Sequence, residues 1–145
     1  MIHVCSTSQT LKVTQGDILL FQAPISTGER GLGFEEGSLC TPTGNFIVKE
    51  RIGEGAPLHT SFKGRLPRRI WKGEASTDAI LTRILWLHGC DPENQNTYRR
   101  YIYFHGTHDE ESIGKPASHG CIRLRNRDML ALFDLAPIGT PVQIS

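Results

Sequence analysis

The sequence predicts a mainly β domain, a sandwich or partly closed barrel with one or two short helices. Short apolar or alternating runs recur along the chain, each followed by turn chemistry, and the 15 glycines and 8 prolines are spread between them rather than pooled in a linker. Only one segment carries the apolar spacing of a helix. At 145 residues the chain has the length of one domain, 1–145, and its 38% hydrophobic and 21% charged residues suit a packed core rather than disorder.

In chain order, Ile2–Val4 and Leu11–Val13 read as short strands, and Lys12–Leu19 as a hairpin around Gln15-Gly16-Asp17. Asp17–Pro24 is the next strand. Asn45–Glu50 follows the Thr41-Pro42-Thr43-Gly44 turn. Ile80–His88 is expected as a strand because Thr82, Ile84 and Trp86 suit a pleated surface, and Asp91-Pro92-Glu93-Asn94 turns the chain after it. Arg100–His105 is a further strand. The helix starts at Asn126 as N-cap, presents Met129, Leu130, Leu132 and Phe133 on one face, and stops at Ala136-Pro137. Pro141–Ile144 alternates as the closing strand.

Sixteen Lys and Arg against 15 Asp and Glu give a formal net charge of +1, which excludes the broad electropositive field of a nucleic-acid binder. No run approaches the roughly 18 apolar residues of a membrane span. Met1–Thr7 offers no basic region, apolar stretch or small-residue cleavage site, so the expected compartment is the cytoplasm, or the periplasm if a leader has been removed. Four cysteines at wide spacings are then expected to be thiols, with Cys5, Cys40 and Cys90 buried as small hydrophobes.

The chemistry-bearing residues concentrate between His88 and Cys121. The densest run is Ser118-His119-Gly120-Cys121-Ile122-Arg123-Leu124, and Cys121 lies 16 residues beyond His105, which ends an apolar strand. A thiol needs a neighbouring imidazole or positive field to become a thiolate nucleophile, and a base needs its second ring nitrogen held in one tautomer. No Asp or Glu abuts His105, so the Gly106 carbonyl is the candidate orienter. Gly120 removes a side chain where a tetrahedral oxyanion approaches, and the amides of Gly120 and Cys121 are candidate donors to it. Arg123 supplies positive field or clamps a substrate carboxylate. Ser118 can bond a peptide backbone.

This run resembles the Ser-His-Gly-Cys signature of L,D-transpeptidase catalytic (YkuD-type) domains, and His105-Gly106-Thr107 resembles their upstream His motif. Ile25-Ser26-Thr27-Gly28 with Thr41-Pro42-Thr43-Gly44-Asn45-Phe46, the strand Ile80–Leu87, and Gly139-Thr140-Pro141-Val142 extend the resemblance over essentially the whole chain. It implies a YkuD-type β fold acting on peptidoglycan stem tetrapeptides, without metal or cofactor. Carried over, Cys121 is the nucleophile, His105 the general base and the Gly106 carbonyl its orienter. The Gly120 and Cys121 amides form the oxyanion hole, and Ser118, His119 and Arg123 line the substrate site. Carbapenem-type β-lactams are then candidate inhibitors. A small, leaderless chain is most similar to cytoplasmic L,D-carboxypeptidases of cell-wall recycling, with water as acceptor; a cross-linking or D-amino-acid-exchanging transpeptidase is the alternative.

Two other classes compete. His105, His108, His119 and Cys121 are conceivable zinc ligands, though their spacing is irregular and Gly120 is better explained by an oxyanion. A non-catalytic peptidoglycan-binding module is the third reading. Trp71 and Trp86 are expected in the core or at its rim, His3 and His59 at the surface, and Glu29–Gly37 as a solvated loop. Arg99-Arg100 are placed as steering or solvated charges. His88 and Arg83 stay unassigned because residues 89–99 could fold over the cleft as a lid.

Overall fold

The computed structural model describes residues 1–75 and 79–145. Among these residues ten strands and one α-helix follow in the order β1 (Ile2–Cys5), β2 (Thr10–Gln15), β3 (Ile18–Pro24), β4 (Gly44–Ile52), β5 (Thr60–Lys63), β6 (Leu66–Ile70), β7 (Ile80–Gly89), β8 (Tyr103–Thr107), β9 (Ile122–Leu124), α1 (Asn126–Leu135) and β10 (Pro141–Ile144). They form a mixed sheet with the path β3-β2-β1-β10-β4-β7-β5-β6, and β8 and β9 branch from β7. The sheet is not closed: β3 and β6 end the path. The β2–β3 hairpin turns at Gly16, as expected, with Gln15 paired to Ile18.

β7 is the axis of the molecule. Residues 81–87 are buried on both faces, unlike the alternating strands at the rim. One edge carries β4 against Ile84–Gly89 and β5 against Ile80 and Leu81; the other carries β8. Both pairings are broken between Leu81 and Ile84, where Thr82 adopts φ 78°. A β-branched residue in the left-handed region is strained and needs surrounding structure to hold it. Thr82 Oγ1 donates to Asn126 Oδ1 at 2.6 Å and accepts the His59 amide at 3.2 Å.

The main core lies between this sheet and α1, where Met129, Leu132, Phe133 and Ala136 pack with Ile2, Phe46, Leu85, Phe104, Ile122 and Leu124. Leu130 is only half-buried. Asn126 is not the N-cap. That position is Arg125, and Asn126 opens the helix with its side chain buried. The Asn126 Nδ2 donates to Thr107 O at 2.8 Å and Glu110 Oε2 at 3.0 Å, while its backbone N–H donates to the same Glu110 carboxylate at 2.7 Å. A remote carboxylate therefore does the capping, which no local spacing announces.

Three further expectations are corrected. The strand expected over Arg100–His105 begins only at Tyr103, because Tyr101 turns the chain at φ 58°. The β5–β6 hairpin and β9 were not expected from the sequence pattern. The cysteines are all free, but Cys90 is exposed and Cys5 and Cys40 are half-buried, since they sit at strand ends and in a loop rather than on core-facing positions. Residues 89–99 are also clamped rather than lid-like. Asp91 accepts the Asn45 amide at 2.7 Å, and fully buried Asn94 donates to the Thr43 and Asn45 carbonyls at 3.1 Å each. Arg83 is 8% exposed and donates to the carbonyls of Ala56 and Thr82, a structural role, and His88 is paired within the sheet to Ile47.

Because Asn126 joins Thr82, Thr107 and Glu110 in one buried network, Asn126→Ala leaves several partners unsatisfied. It is expected to cost about 2–4 kcal/mol of stability, read as a lowered denaturation midpoint at unchanged m-value.

Candidate active site

β8 and β9 run parallel, with Phe104 opposite Ile122, His105 opposite Arg123 and Gly106 opposite Leu124. Side chains alternate across a sheet, so Phe104, Ile122 and Leu124 enter the core while Tyr103, His105, Cys121 and Arg123 share the other face. All four line one cavity of about 270 Å³, together with Arg65, Ile80, Tyr101 and His119. Residues far apart in sequence, including Cys121 and His105, thus meet because two short strands pair in a fixed register.

His105 is 1% exposed, and its Nδ1 lies 2.6 Å from Gly106 O. A carbonyl only accepts, so Nδ1 carries the hydrogen and Nε2 is left as the basic nitrogen. Gly106 is required here by close approach. A Cβ at that position would stand 2.3 Å from Asn126 Oδ1 and 2.8 Å from Leu81 O. The orienting carbonyl is therefore locked to the same buried network that opens the helix.

Cys121 is half-buried. Its Sγ donates to Tyr101 O at 3.3 Å and accepts the Tyr103 amide at 3.4 Å. The loop that carries it is held from three sides. Ser118 Oγ donates to Cys121 O at 2.6 Å and accepts Gly120 N–H at 3.1 Å. Thr41 Oγ1 donates to Gly120 O at 2.8 Å and accepts the Gly28 amide at 2.8 Å. Ser26 and Arg123 exchange backbone bonds at 2.9 Å, and the Ala117 and Ser118 amides both donate to Thr27 O. Buried Gln9 in turn fixes Thr27 through its side-chain amide. The Ser-Thr-Gly and Thr-Pro-Thr-Gly elements are the clamps of the cysteine loop.

This placement changes three expectations. Ser118 is 1% exposed and bonds its own loop, so it positions Cys121 rather than lining the substrate cavity. Gly120 is needed because φ is 120° and a Cβ would meet Cys40 O at 3.1 Å, not chiefly to make room for an oxyanion. Its amide already donates to Ser118, whereas sequence spacing presented it as an oxyanion donor. His119 is exposed and does line the cavity, as does Arg123, which is 3% exposed and donates to Ala117 O at 3.3 Å.

The structure also adds residues. Arg65, at the tip of the β5–β6 hairpin, donates to Tyr103 OH at 3.2 Å and stands 4.9 Å from the Trp86 ring and 5.0 Å from that of Tyr101. Trp86 stacks on Tyr98 at 4.0 Å and meets Tyr103 edge-on, forming an aromatic floor. A second cavity of about 200 Å³ adjoins the first through Tyr101 and His119 and contains Glu36, Arg99 and Arg100. Arg100 donates to Cys40 O at 2.7 Å and Gly33 O at 3.3 Å, pinning the Glu29–Cys40 segment; burial lowers its pKa. His108 sits apart, accepting the Ala79 amide near Trp71, and among the described residues no three His, Cys, Asp or Glu side chains converge as metal ligands.

The L,D-transpeptidase catalytic-domain (YkuD) family model matches residues 1–144. The chain belongs to this family. It is 47% identical over 47 residues, 32% of its length, to a putative L,D-transpeptidase YkuD of Bacillus licheniformis, covering 28% of that protein. It is 50% identical over 44 residues, 30% of its length, to the probable L,D-transpeptidase YbiS of Escherichia coli K12, covering 14%. Among solved structures, the L,D-transpeptidase from Mycobacterium smegmatis superposes with a TM-score of 0.65 at 17% identity, over 99% of this chain and 57% of that one. L,D-transpeptidase 3 from Mycobacterium tuberculosis, solved with a faropenem-derived adduct, gives 0.63 at 17% identity over 99% and 59%. At such identities these two establish the fold. The matches span under a third of these two curated relatives and under two thirds of these solved chains.

Removing the Ser118 hydroxyl strips a partner from Gly120 N–H and from Cys121 O. Ser118→Ala is expected to lower the rate of Cys121 acylation about 10- to 100-fold, followed by intact-protein mass spectrometry against a β-lactam, and to cost about 1–3 kcal/mol of stability because the groups it leaves are buried.

The tyrosine cluster predicts an alkaline weakness. Burial raises the Tyr103 phenol above its usual pKa, and the Glu50 carboxylate, which accepts its hydroxyl, raises that of Tyr98. The native state holds these protons longer than the unfolded chain. Their stability contribution is complete below the ordinary phenol value near 10 and is lost as pH rises through the raised native values. Denaturation midpoints taken from pH 8 to pH 11 are expected to fall less steeply in Tyr98→Phe.

Proposed function

We propose that this chain is a cysteine-dependent L,D-carboxypeptidase that removes the terminal D-Ala from peptidoglycan tetrapeptides. The observation that carries the reading is the shared face of β8 and β9, where Cys121 and oriented His105 line one cavity. His105 Nε2 takes the thiol proton as Sγ attacks the carbonyl between the third residue and D-Ala. The Cys121 amide receives the oxyanion, while the Gly120 amide keeps its bond to Ser118 and holds the loop in place. On collapse the C–N bond breaks, the imidazolium returns its proton to the departing amine, and a thioester remains. Water then attacks, giving its proton to His105, and the restored thiol leaves a tripeptide. Arg123 and His119 line the substrate side.

Charge supports water as acceptor. Among the described residues that line the two adjoining cavities, Arg65, Arg99, Arg100 and Arg123 outnumber one carboxylate, Glu36. An amine acceptor arrives mostly as an ammonium ion, which this lining repels, and water does not. The role belongs to recycling of imported wall fragments, with the cytoplasm as its compartment and carbapenem-type β-lactams as Cys121 acylating agents. The second cavity favours a second reading, amine transfer to make 3–3 cross-links or exchange D-amino acids, since it offers an acceptor a place beside His119.

Mass spectrometry of a diaminopimelate tetrapeptide reaction, with and without a second tetrapeptide or free D-amino acid, tests both. Tripeptide and D-Ala in equal amounts, unaffected by the added amine, are expected. Dimers or exchange products would replace hydrolysis by transfer. Cys121→Ala is expected to lose turnover entirely, and retained turnover would remove the thioester mechanism.

A further inference from the structure

We propose that Arg65 is a specificity residue that reads a free carboxylate on the substrate beside the scissile bond; this deepens the stem-peptide reading above and rests on it. Arg65 reaches the catalytic cavity from an element outside the β8–β9 site, the two-residue turn of the β5–β6 hairpin, where Lys63 pairs with Leu66. Both turn residues have positive φ, 58° at Gly64 and 64° at Arg65. Such a turn favours Gly or Asn at each position, and an arginine there adopts a conformation its own backbone disfavours. Turn chemistry thus gives no reason for arginine at this position, whereas the cavity does.

The side chain is organised to receive an anion. One guanidinium N–H goes to Tyr103 OH, and the guanidinium carbon lies 4.9 Å from the centre of the Trp86 ring and 5.0 Å from that of Tyr101. The planar fork of a guanidinium held in this way pairs with a carboxylate through two hydrogen bonds. Among the described residues no internal carboxylate takes that place, and the single salt bridge there is Arg99 with Glu36, at the neighbouring cavity. Tyr103, which receives the Arg65 bond, also donates its amide to Cys121 Sγ, so a carboxylate on Arg65 lies one residue's reach from the nucleophile.

The surroundings extend the same field. From Gly55 to Gly73 the chain has Lys63, Arg65, Arg68, Arg69 and Lys72 and no Asp or Glu, although the whole chain has a net charge of only +1. β6 is an edge strand with every residue exposed, so these cations stand in solvent at the hairpin that borders the cavity. Such a patch steers an anionic peptide toward the site, and Arg65 is its member inside it. Two carboxylates of a stem tetrapeptide are near enough: the side-chain carboxylate of a diaminopimelate third residue, and the C-terminal carboxylate of the departing D-Ala.

Four synthetic tetrapeptides separate these sources: the free acid, the diaminopimelate side-chain amide, the D-alaninamide and the lysine analogue. Each is compared by kcat/KM for tripeptide release with wild type, Arg65→Asn and Arg65→Lys, alongside thermal denaturation. The wild type is expected to prefer the free acid over one of the two amides by about 10- to 100-fold, and that amide names the carboxylate read. Poorer use of the lysine analogue accompanies the side-chain case. Arg65→Asn, which suits the turn better, is expected to keep or raise the melting temperature while losing the preference, and Arg65→Lys to keep part of it. Equal losses for acid and amides in Arg65→Asn, or a preference that survives it, would overturn the assignment while leaving the carboxypeptidase reading intact. Silence of the wild type toward every peptide, with Cys121 unreactive to a β-lactam, would overturn the underlying reading and this one with it.

Discussion

The parallel pairing of β8 with β9 is the constraint on which the rest depends. It is only three residues long, yet it sets His105 two positions along from the cysteine on the same face. A parallel pair needs a crossover between its strands, and the segment from 108 to 121 supplies it. That segment has only a short 3-10 turn at Glu110–Ser112 as regular structure. Its shape is imposed from outside, by Thr27, Gly28 and Thr41 on one side and by Asn126 through Glu110 on the other. The loop is held like an extra strand edge, by backbone bonds to the 26–29 segment.

Burial explains why so many polar residues are committed to this task. Ser26, Thr27, Thr41, Ser118 and Asn126 are almost inaccessible, and each would be costly if unpaired. Each is hydrogen-bonded: Ser26 to Lys115 O, Thr27 to Gln9, Thr41 to Gly120 O, Ser118 to Cys121 O and Asn126 to Thr107 O. Strain gathers in the same region: Arg65, Thr82 and Tyr101 all have positive φ and either line the cavity or buttress it. A bulge at Thr82 lets β7 serve β4, β5 and β8 at once, which brings the Arg65 hairpin alongside the catalytic strand.

Legibility in the sequence followed the range of the forces. Strands β1 to β4, β7 and β10, and the helix, were readable because alternation and 3.6-residue spacing are local signals. The β5–β6 hairpin was not, since β6 is exposed at every residue and its Leu66 and Ile70 alternate with nothing. The meeting of Cys121 and His105 at one cavity, with Gly106 O on the imidazole, was readable because those residue types leave a compact trace in the sequence. The true work of Ser118 and Gly120 was hidden: the polar run looked like a substrate-binding surface, and only the approach of Thr41 and Cys40 turns it into a clamp. Arg65 left one faint mark, a large cation directly after Gly64 where the turn favours Asn or Gly.

The charge around the two cavities couples the two ends of the proposed reaction. A lining dominated by arginines attracts a substrate rich in carboxylates, and by the same Coulomb sign it holds back an acceptor that carries an ammonium. Donor recognition and acceptor choice are therefore not independent. Adding acidic residues beside His119 would weaken the hold on an anionic donor while easing the approach of an amine, and Glu36 stands where such a balance is set, already facing Arg99 at 3.9 Å. Under the proposed mechanism a few exposed side chains would then decide between hydrolysis and transfer, because the face that carries Cys121 and His105 stays the same. The nucleophile that reaches this face first is the one whose charge the entrance tolerates.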